Sequence, residues 1–100
     1  MRLIIDLDGT ICTEEKQFSR ALAVPIRGAV DFLKRKKSEG HTVIIYSARS
    51  WAEYEMTFEW LIRNEIPFDQ LILGKPIGDF WIDDRAIRFT SWELVEEIIS

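Results

Sequence analysis

Residues 3–10 read LIIDLDGT, an apolar run that ends abruptly in two aspartates, a glycine and a threonine. The apolar, β-branched run from Arg2 to Ile5 predicts a buried strand. Asp6 and Asp8 stand one residue apart directly after it. Negative charge packed this densely at a strand end needs a cation, a proton or a tight functional constraint to be tolerated. The turn therefore predicts a functional site.

Three more short apolar runs follow, and each of them leads into polar residues. Thr42–Tyr46 leads into Ser47, Ala48 and Arg49. Leu71–Leu73 leads into Lys75, and Phe80–Ile82 leads into Asp83 and Asp84. Apolar strands separated by helices predict an α/β domain with a parallel sheet that is covered on both faces. Ligands bind beyond the carboxyl ends of the strands in such sheets, so we expect these polar side chains to converge.

The segments between the runs predict three helices and one long loop. The helices are Arg27–Glu39, which Gly40 ends, residues 51–64, which a capping box of Ser50 and Glu53 opens, and Thr90–Ile99. Residues 11–26 show no clear period, so they predict a loop above the acidic turn. Trp51 falls on the expected core stripe of the second helix, whereas Met56 and Trp60 fall on its opposite side. An apolar spot on an outer face indicates a subunit contact and hence a homo-oligomer.

The composition fits one small cytoplasmic domain. The 100-residue chain is 47% hydrophobic and has a net charge of -4, which argues against a nucleic-acid polymer as its partner. Cys12 is the single cysteine, so no intrachain disulfide forms and a reducing compartment is expected. No segment approaches the roughly 20 apolar residues of a membrane span, so we expect no membrane contact.

The polar residues at the strand ends suit the chemistry of phosphate. Several carboxylates at one edge would repel one another, and a hard divalent cation such as Mg²⁺ removes that problem. Asp6 can attack phosphorus to form an aspartyl phosphate, and Asp8 can protonate a leaving oxygen and then activate water. Ser47 can donate a hydrogen bond to a phosphate oxygen, and Lys75 can neutralise the charge of the transferred group. Arg49 can reach substrate or pair with Glu53.

These motifs, taken in chain order, resemble those of the haloacid dehalogenase superfamily. Asp6-Leu7-Asp8-Gly9-Thr10 resembles its first motif, Ser47 its second, Lys75 its third and Asp83-Asp84 its fourth. The resemblance implies a three-layer α/β/α Rossmann-like fold over residues 1–100 and Mg²⁺-dependent phosphoryl transfer through Asp6. The implied metal ligands are Asp6, the backbone carbonyl of Asp8, Asp83 and Asp84. The implied phosphate contacts are Gly9, Thr10, Ser47, Ala48, Arg49 and Lys75.

The motif spacing refines this expectation in two ways. The loop at 11–26 and the single helix after Ser47 leave no room for a large cap domain, so the resemblance narrows to the small, capless phosphatase-like proteins of bacterial capsule gene clusters and phages. Only seven residues separate Lys75 from Asp83, whereas a parallel crossover needs about a dozen or more. We therefore expect either that Leu71–Leu73 is not a normal parallel strand or that residues 75–79 descend as an extended arm. The sheet is then reduced and mainly parallel, or partly antiparallel at one edge.

The leading functional hypothesis is a phosphatase that acts on a small phosphorylated metabolite such as a sugar phosphate. A nucleotide or nucleic-acid end phosphatase is a second enzymatic hypothesis. A non-catalytic binding module with the same fold is the third, although all four motif positions carry chemically competent side chains.

Overall fold

The computed structural model describes all 100 residues and contains three parallel strands and three α-helices. The strands are β1 (Arg2–Ile5), β2 (Thr42–Tyr46) and β3 (Gln70–Ile72), and the helices are α1 (Ala29–Ser38), α2 (Tyr54–Arg63) and α3 (Trp92–Ile99). The strand order is β1-β2-β3, and two 3₁₀ turns, Gln17–Leu22 and Trp51–Glu53, precede α1 and α2. The predicted α/β class, the reduced parallel sheet and the lack of a large cap are confirmed. None of the helices has the length and apolar character needed to cross a bilayer.

The hydrophobic core lies against one face of the sheet. Ile5 is in register with Ile45, and Ile45 with Leu71, and all three side chains are buried on that face. The two crossovers from β1 to β2 and from β2 to β3 move in the same direction across the sheet. Because such crossovers are right-handed, α1 and α2 come to lie on the same side. Their buried residues Phe32 and Trp60 accordingly belong to a single core cluster.

The opposite face of the sheet carries no helix. Ile4 is 64% exposed there, and Ile44, Tyr46 and Ile72 are half-buried. The sequence predicted a sheet covered on both faces. This chain covers one face only, because no crossover returns across the sheet to the far side of β1.

The predicted fourth strand, Phe80–Ile82, is not formed. It lies within residues 76–90, here called the arm, which contain no helix or strand. None of the 51 backbone–backbone hydrogen bonds involves the arm, and Phe80 and Ile82 are 86% and 98% exposed. The short spacing after Lys75 explains this, because the chain has too few residues to return beneath the sheet as a parallel strand.

Helix α2 buries only part of the side that its spacing predicted, since Leu61 is buried but Phe58 and Ile62 are exposed. Trp60 is fully buried, and its Nε1 donates a hydrogen bond to the carbonyl oxygen of Ala23 at 2.9 Å. Trp51 is exposed instead. The assignment of Trp60 to an outer face was therefore wrong. Residues 51–53 form a 3₁₀ turn, whose three-residue period moves Trp51 away from the helical position that the spacing predicted for it.

An ion-pair network joins α3 to α1. Glu96 contacts Arg35 at 2.8 Å and Lys36 at 2.7 Å, and the Lys36 side chain is almost completely covered. The hydrogen bond from Lys36 is the main reason that the pKa of Glu96 falls from 4.5 to about 2. Docking of α3 against α1 is therefore linked to the charge state of one carboxylate.

Replacing Glu96 with glutamine should remove part of the protein's sensitivity to acid. Because the folded-state pKa is depressed, the contribution of Glu96 to stability is complete above about pH 4.5 and is lost as the pH falls toward about 2. We expect Glu96→Gln to unfold at lower urea than the wild type at neutral pH, and the two midpoints to converge in strong acid. Glu97→Gln is the control, since Glu97 is exposed and forms no ion pair. If the urea midpoints of the wild type and Glu96→Gln differed equally at neutral pH and in strong acid, the charge of Glu96 would not contribute to stability.

Candidate active site

The carboxyl ends of β1 and β2 open into one polar cleft with a volume of about 280 Å³. Glu14 and Arg20 reach it from the loop at 11–26, and the start of the arm forms its other wall. The predicted site residues that line the cleft are Asp6, Asp8, Ala48, Arg49 and Lys75. The parallel strands thus bring residues from three of the four motifs to one place.

Asp6 presents an accessible carboxylate to this cleft. Its side chain is 39% exposed, and one carboxylate oxygen lies 3.5 Å from Lys75 Nζ. The hydroxyl of Thr10 donates to the other oxygen at 3.5 Å. Gly9 has φ +81°, a conformation that favours glycine, and it turns the chain so that Thr10 comes back beside Asp6. The geometry suits a carboxylate that meets an incoming phosphate next to a cation.

Lys75 is held at the cleft by its own backbone despite the unusual spacing. The Lys75 amide donates a hydrogen bond to the carbonyl oxygen of Ser47 at 2.9 Å. The Gly74 amide donates one to the carbonyl oxygen of Arg49, also at 2.9 Å. Gly74 has φ +76°, and a Cβ at that position would lie 2.8 Å from the indole nitrogen of Trp51. A glycine is therefore needed there for the chain to deliver Lys75 next to Asp6.

Asp8 is bound by a buried arginine. Arg49 Nε and Nη2 donate to the two carboxylate oxygens of Asp8 at 2.9 and 2.7 Å, and Nη1 donates to the hydroxyl of Thr57 at 3.0 Å. Arg49 is only 1% exposed. Burial disfavours the charged guanidinium, but the Asp8 carboxylate more than offsets this and raises the pKa of Arg49.

Arg49 consequently has a different partner from those that the sequence suggested. It does not pair with Glu53, which contacts Arg20 Nη1 at 2.6 Å, and three of its five N–H donors go to Asp8 and Thr57 while its side chain lines the cleft. We interpret Arg49 as the residue that positions Asp8. In this arrangement the Asp8 carboxylate accepts two hydrogen bonds from Arg49 and a longer one from the Cys12 thiol at 3.7 Å, and it still lines the cleft.

Cys12 and Ser47 lie beneath the cleft. Burial, reinforced by the neighbouring Asp8 carboxylate, raises the pKa of the Cys12 thiol to about 12, so Cys12 packs as a neutral thiol and is no nucleophile. The Ser47 side chain is fully buried, and its Oγ accepts a hydrogen bond from the amide of Arg49 at 3.1 Å. The predicted phosphate contact of Ser47 is not presented to the cleft in this arrangement.

The predicted metal ligands are not brought together within one chain. Asp83 and Asp84 lie in the arm, and both are exposed. A carboxylate oxygen of Asp83 accepts a hydrogen bond from the amide of Arg85 at 2.8 Å. No group of three or more histidine, cysteine, aspartate or glutamate side chains is placed to hold a metal ion. Because neither Asp83 nor Asp84 lines the cleft with Asp6, a single chain does not fit the Mg²⁺ site that the resemblance implies.

Sequence reasoning missed Arg20. This residue lies on the 3₁₀ turn Gln17–Leu22 and lines the cleft. Its Nη1 pairs with Glu53, yet its Nε is buried without a hydrogen-bond partner. A buried guanidinium donor that lacks a partner beside a cleft is suited to an anionic oxygen of a ligand. The surrounding loop has no period, so only the residue type could have indicated it.

Comparison with known structures identifies the fold. A structure-determination target from Vibrio cholerae is 26% identical with a TM-score of 0.75, and the match covers 97% of this chain and 94% of that one. A chain of the Pnkp1/Rnl/Hen1 RNA repair complex is 26% identical with a TM-score of 0.65, over 80% of this chain and 27% of that one. D,D-heptose 1,7-bisphosphate phosphatase from B. bronchiseptica, complexed with magnesium and phosphate, is 17% identical with a TM-score of 0.56. That match covers 85% of this chain and 53% of the phosphatase chain. No protein-family profile and no curated protein matches the sequence.

Proposed function

We propose that this chain, a small member of the haloacid dehalogenase superfamily without a large cap, hydrolyses a phosphomonoester through an aspartyl phosphate on Asp6. The observation that carries the proposal is the accessible Asp6 carboxylate at the end of β1, with Lys75 Nζ 3.5 Å away. Two of the structures with this fold add support, since one is a phosphatase and another belongs to an RNA repair complex.

The proposed reaction has two displacements at phosphorus. A carboxylate oxygen of Asp6 attacks, and the bond from phosphorus to the ester oxygen breaks, so that oxygen leaves with the electron pair and takes up a proton. Water then attacks the phosphorus of the aspartyl phosphate, which releases inorganic phosphate and regenerates Asp6. Lys75 offsets the negative charge on the transferred group in both steps. Asp8, which lines the cleft, supplies the proton to the leaving oxygen and recovers it from the attacking water through a lone pair that Arg49 leaves free.

The proposed substrate is a small phosphorylated metabolite such as a sugar phosphate. The cleft volume of about 280 Å³ lies at the lower end for sites that bind small molecules. Arg20 adds a guanidinium donor opposite the arm, which suits a second anionic or hydroxyl group on the substrate. The net charge of -4 disfavours long nucleic acids.

A nucleotide or nucleic-acid end phosphatase is the second candidate. The observation that favours it is Trp81, whose half-exposed indole lines the cleft and can stack on a base. Likeness to a chain of an RNA repair complex points the same way. Rates on sugar phosphates, mononucleotides and phosphate-ended oligonucleotides would separate the two substrate classes.

We also propose that the reaction requires Mg²⁺, which the heptose bisphosphate phosphatase structure contains. The purified protein should release phosphate from an aryl phosphate in Mg²⁺, and excess chelator should lower the rate at least about tenfold, because a metal ion supplies several kcal/mol of charge stabilisation at the phosphoryl group. Added Mg²⁺ should restore the rate. Failure to hydrolyse any phosphate ester would instead favour a non-catalytic binding module.

A further inference from the structure

The arm exposes apolar side chains that a small domain normally buries. Ile77, Phe80 and Ile82 are all large and largely exposed, and the arm's backbone makes no hydrogen bond to the rest of the backbone. Loops of more than about 12–15 residues without secondary structure are uncommon in compact domains, where they are usually functional segments or linkers. Exposed apolar surface of this kind marks a site of protein contact.

The exposed area of the chain matches that of a subunit separated from its partner. The chain exposes 6794 Å², whereas a folded monomer of 11.7 kDa is expected to expose about 5900 Å². The excess is about 900 Å², and each partner in a standard protein interface buries about 800 Å². A second copy of this chain, with the same arm and the same open sheet face, can cover that excess symmetrically.

The arm cannot form the missing strand in its own chain. To lie parallel to β1 on its outer side, residues 80–82 must start three strand spacings away from Lys75 and at the other end of the sheet. With spacings of about 4.8 Å and a rise of about 3.3 Å per residue over four residues, that is about 20 Å in a straight line. Five fully extended residues span at most about 18 Å, and the straight path would run through the sheet's own side chains.

We propose that two copies of this chain exchange arms, so that residues 80–82 of one copy add a parallel strand to β1 of the other. β1 pairs only with β2, and its outer edge therefore offers free backbone donors and acceptors. Parallel addition in this register places Asp83 and Asp84 beside the partner's Asp6, and it carries Trp81 out of the cleft of its own chain, which the residue lines in the single chain. Exchange supplies the carboxylate group that one chain lacks, and its twofold symmetry closes the assembly as a dimer.

Mixing two inactive variants tests the exchange, and this readout rests on the proposed phosphatase function. Asp6→Asn and Asp83→Asn should each be inactive alone. After both are unfolded and refolded together in equal amounts, half of the dimers contain one chain of each kind, and each such dimer has one intact site. The mixture should regain about one quarter of the wild-type activity. No recovery, or full activity of pure Asp83→Asn, would overturn the proposal.

Sedimentation tests the exchange without any assay of activity. The wild type should sediment as a dimer, and the double variant Phe80→Ser, Ile82→Ser as a folded monomer, with a dissociation constant at least about 100-fold higher. Phe18→Ser is the matched control, because Phe18 is 86% exposed like Phe80 but lies outside the arm. Titration calorimetry should show Mg²⁺ binding to the dimer and none to the monomeric variant. A monomeric wild type would overturn the exchange, whereas a dimer without phosphatase activity would contradict only the proposed function.

Discussion

Replacing Asp6 with asparagine should lower phosphate release at least about 10³-fold, because the amide keeps the shape of the carboxylate but has no charged oxygen to attack phosphorus. The fold should not change, since the Asp6 side chain is 39% exposed and makes only two contacts of 3.5 Å, with Thr10 and Lys75. Steady-state kinetics on an aryl phosphate, with circular dichroism and urea unfolding alongside, measure both effects.

Asp31→Asn provides the matched control for Asp6→Asn. It makes the same chemical change at an exposed position in the first turn of α1, away from the cleft. The rate of this control should stay within about twofold of the wild type, as expected for a surface substitution outside the site. An Asp6→Asn variant that keeps full activity would show that another group is the nucleophile.

The covalent intermediate gives a second test of the role of Asp6. Wild-type protein quenched in acid during turnover of a labelled phosphate ester should retain label as an acyl phosphate, which hydroxylamine releases. Asp6→Asn should retain none, because its amide cannot form the mixed anhydride. Label retained on the variant would place the phosphoryl group elsewhere.

The meeting of Asp6 and Lys75 could be predicted from local patterns. Each residue follows an apolar run, and parallel strands bring their carboxyl ends to the same edge of a sheet. The unusual spacing after Lys75 also predicted that the sheet would not continue normally. It could not predict where the arm goes, because no backbone hydrogen bond joins the arm to the rest of the chain.

The partners of Asp8 could not be predicted in this way. Asp8 and Arg49 are 41 positions apart, and the sequence around each offers several other charged partners. Their pairing depends on how α2 packs, since Thr57 on that helix fixes the third nitrogen of Arg49. Tertiary packing also decided the burial of Trp60. Local periodicity predicts elements and their ends, but it does not predict which side chains meet in the interior.

Replacing Arg49 with methionine should destabilise the protein by about 3 kcal/mol, near the lower end for the loss of one partner from a buried ion pair. The lower end applies because the Asp8 side chain is 15% exposed and retains some access to water. The variant would leave the Asp8 carboxylate without its two donors and Thr57 without its partner. Urea unfolding measures the loss. Arg27→Met, at an exposed position with no ion pair, should change stability by less than about 0.5 kcal/mol.

A double-mutant cycle would show whether Asp8 and Arg49 act as a unit. Because the penalty in Arg49→Met comes largely from the unpaired carboxylate, adding Asp8→Asn should cost less than the sum of the single changes, with a coupling of at least about 1.5 kcal/mol. Arg49→Lys should fall between wild type and methionine, since an ammonium keeps the charge but cannot bond both oxygens in the planar geometry of a guanidinium. Additive losses would mean that Asp8 is held by its backbone alone, and Arg49 would then have no positioning role.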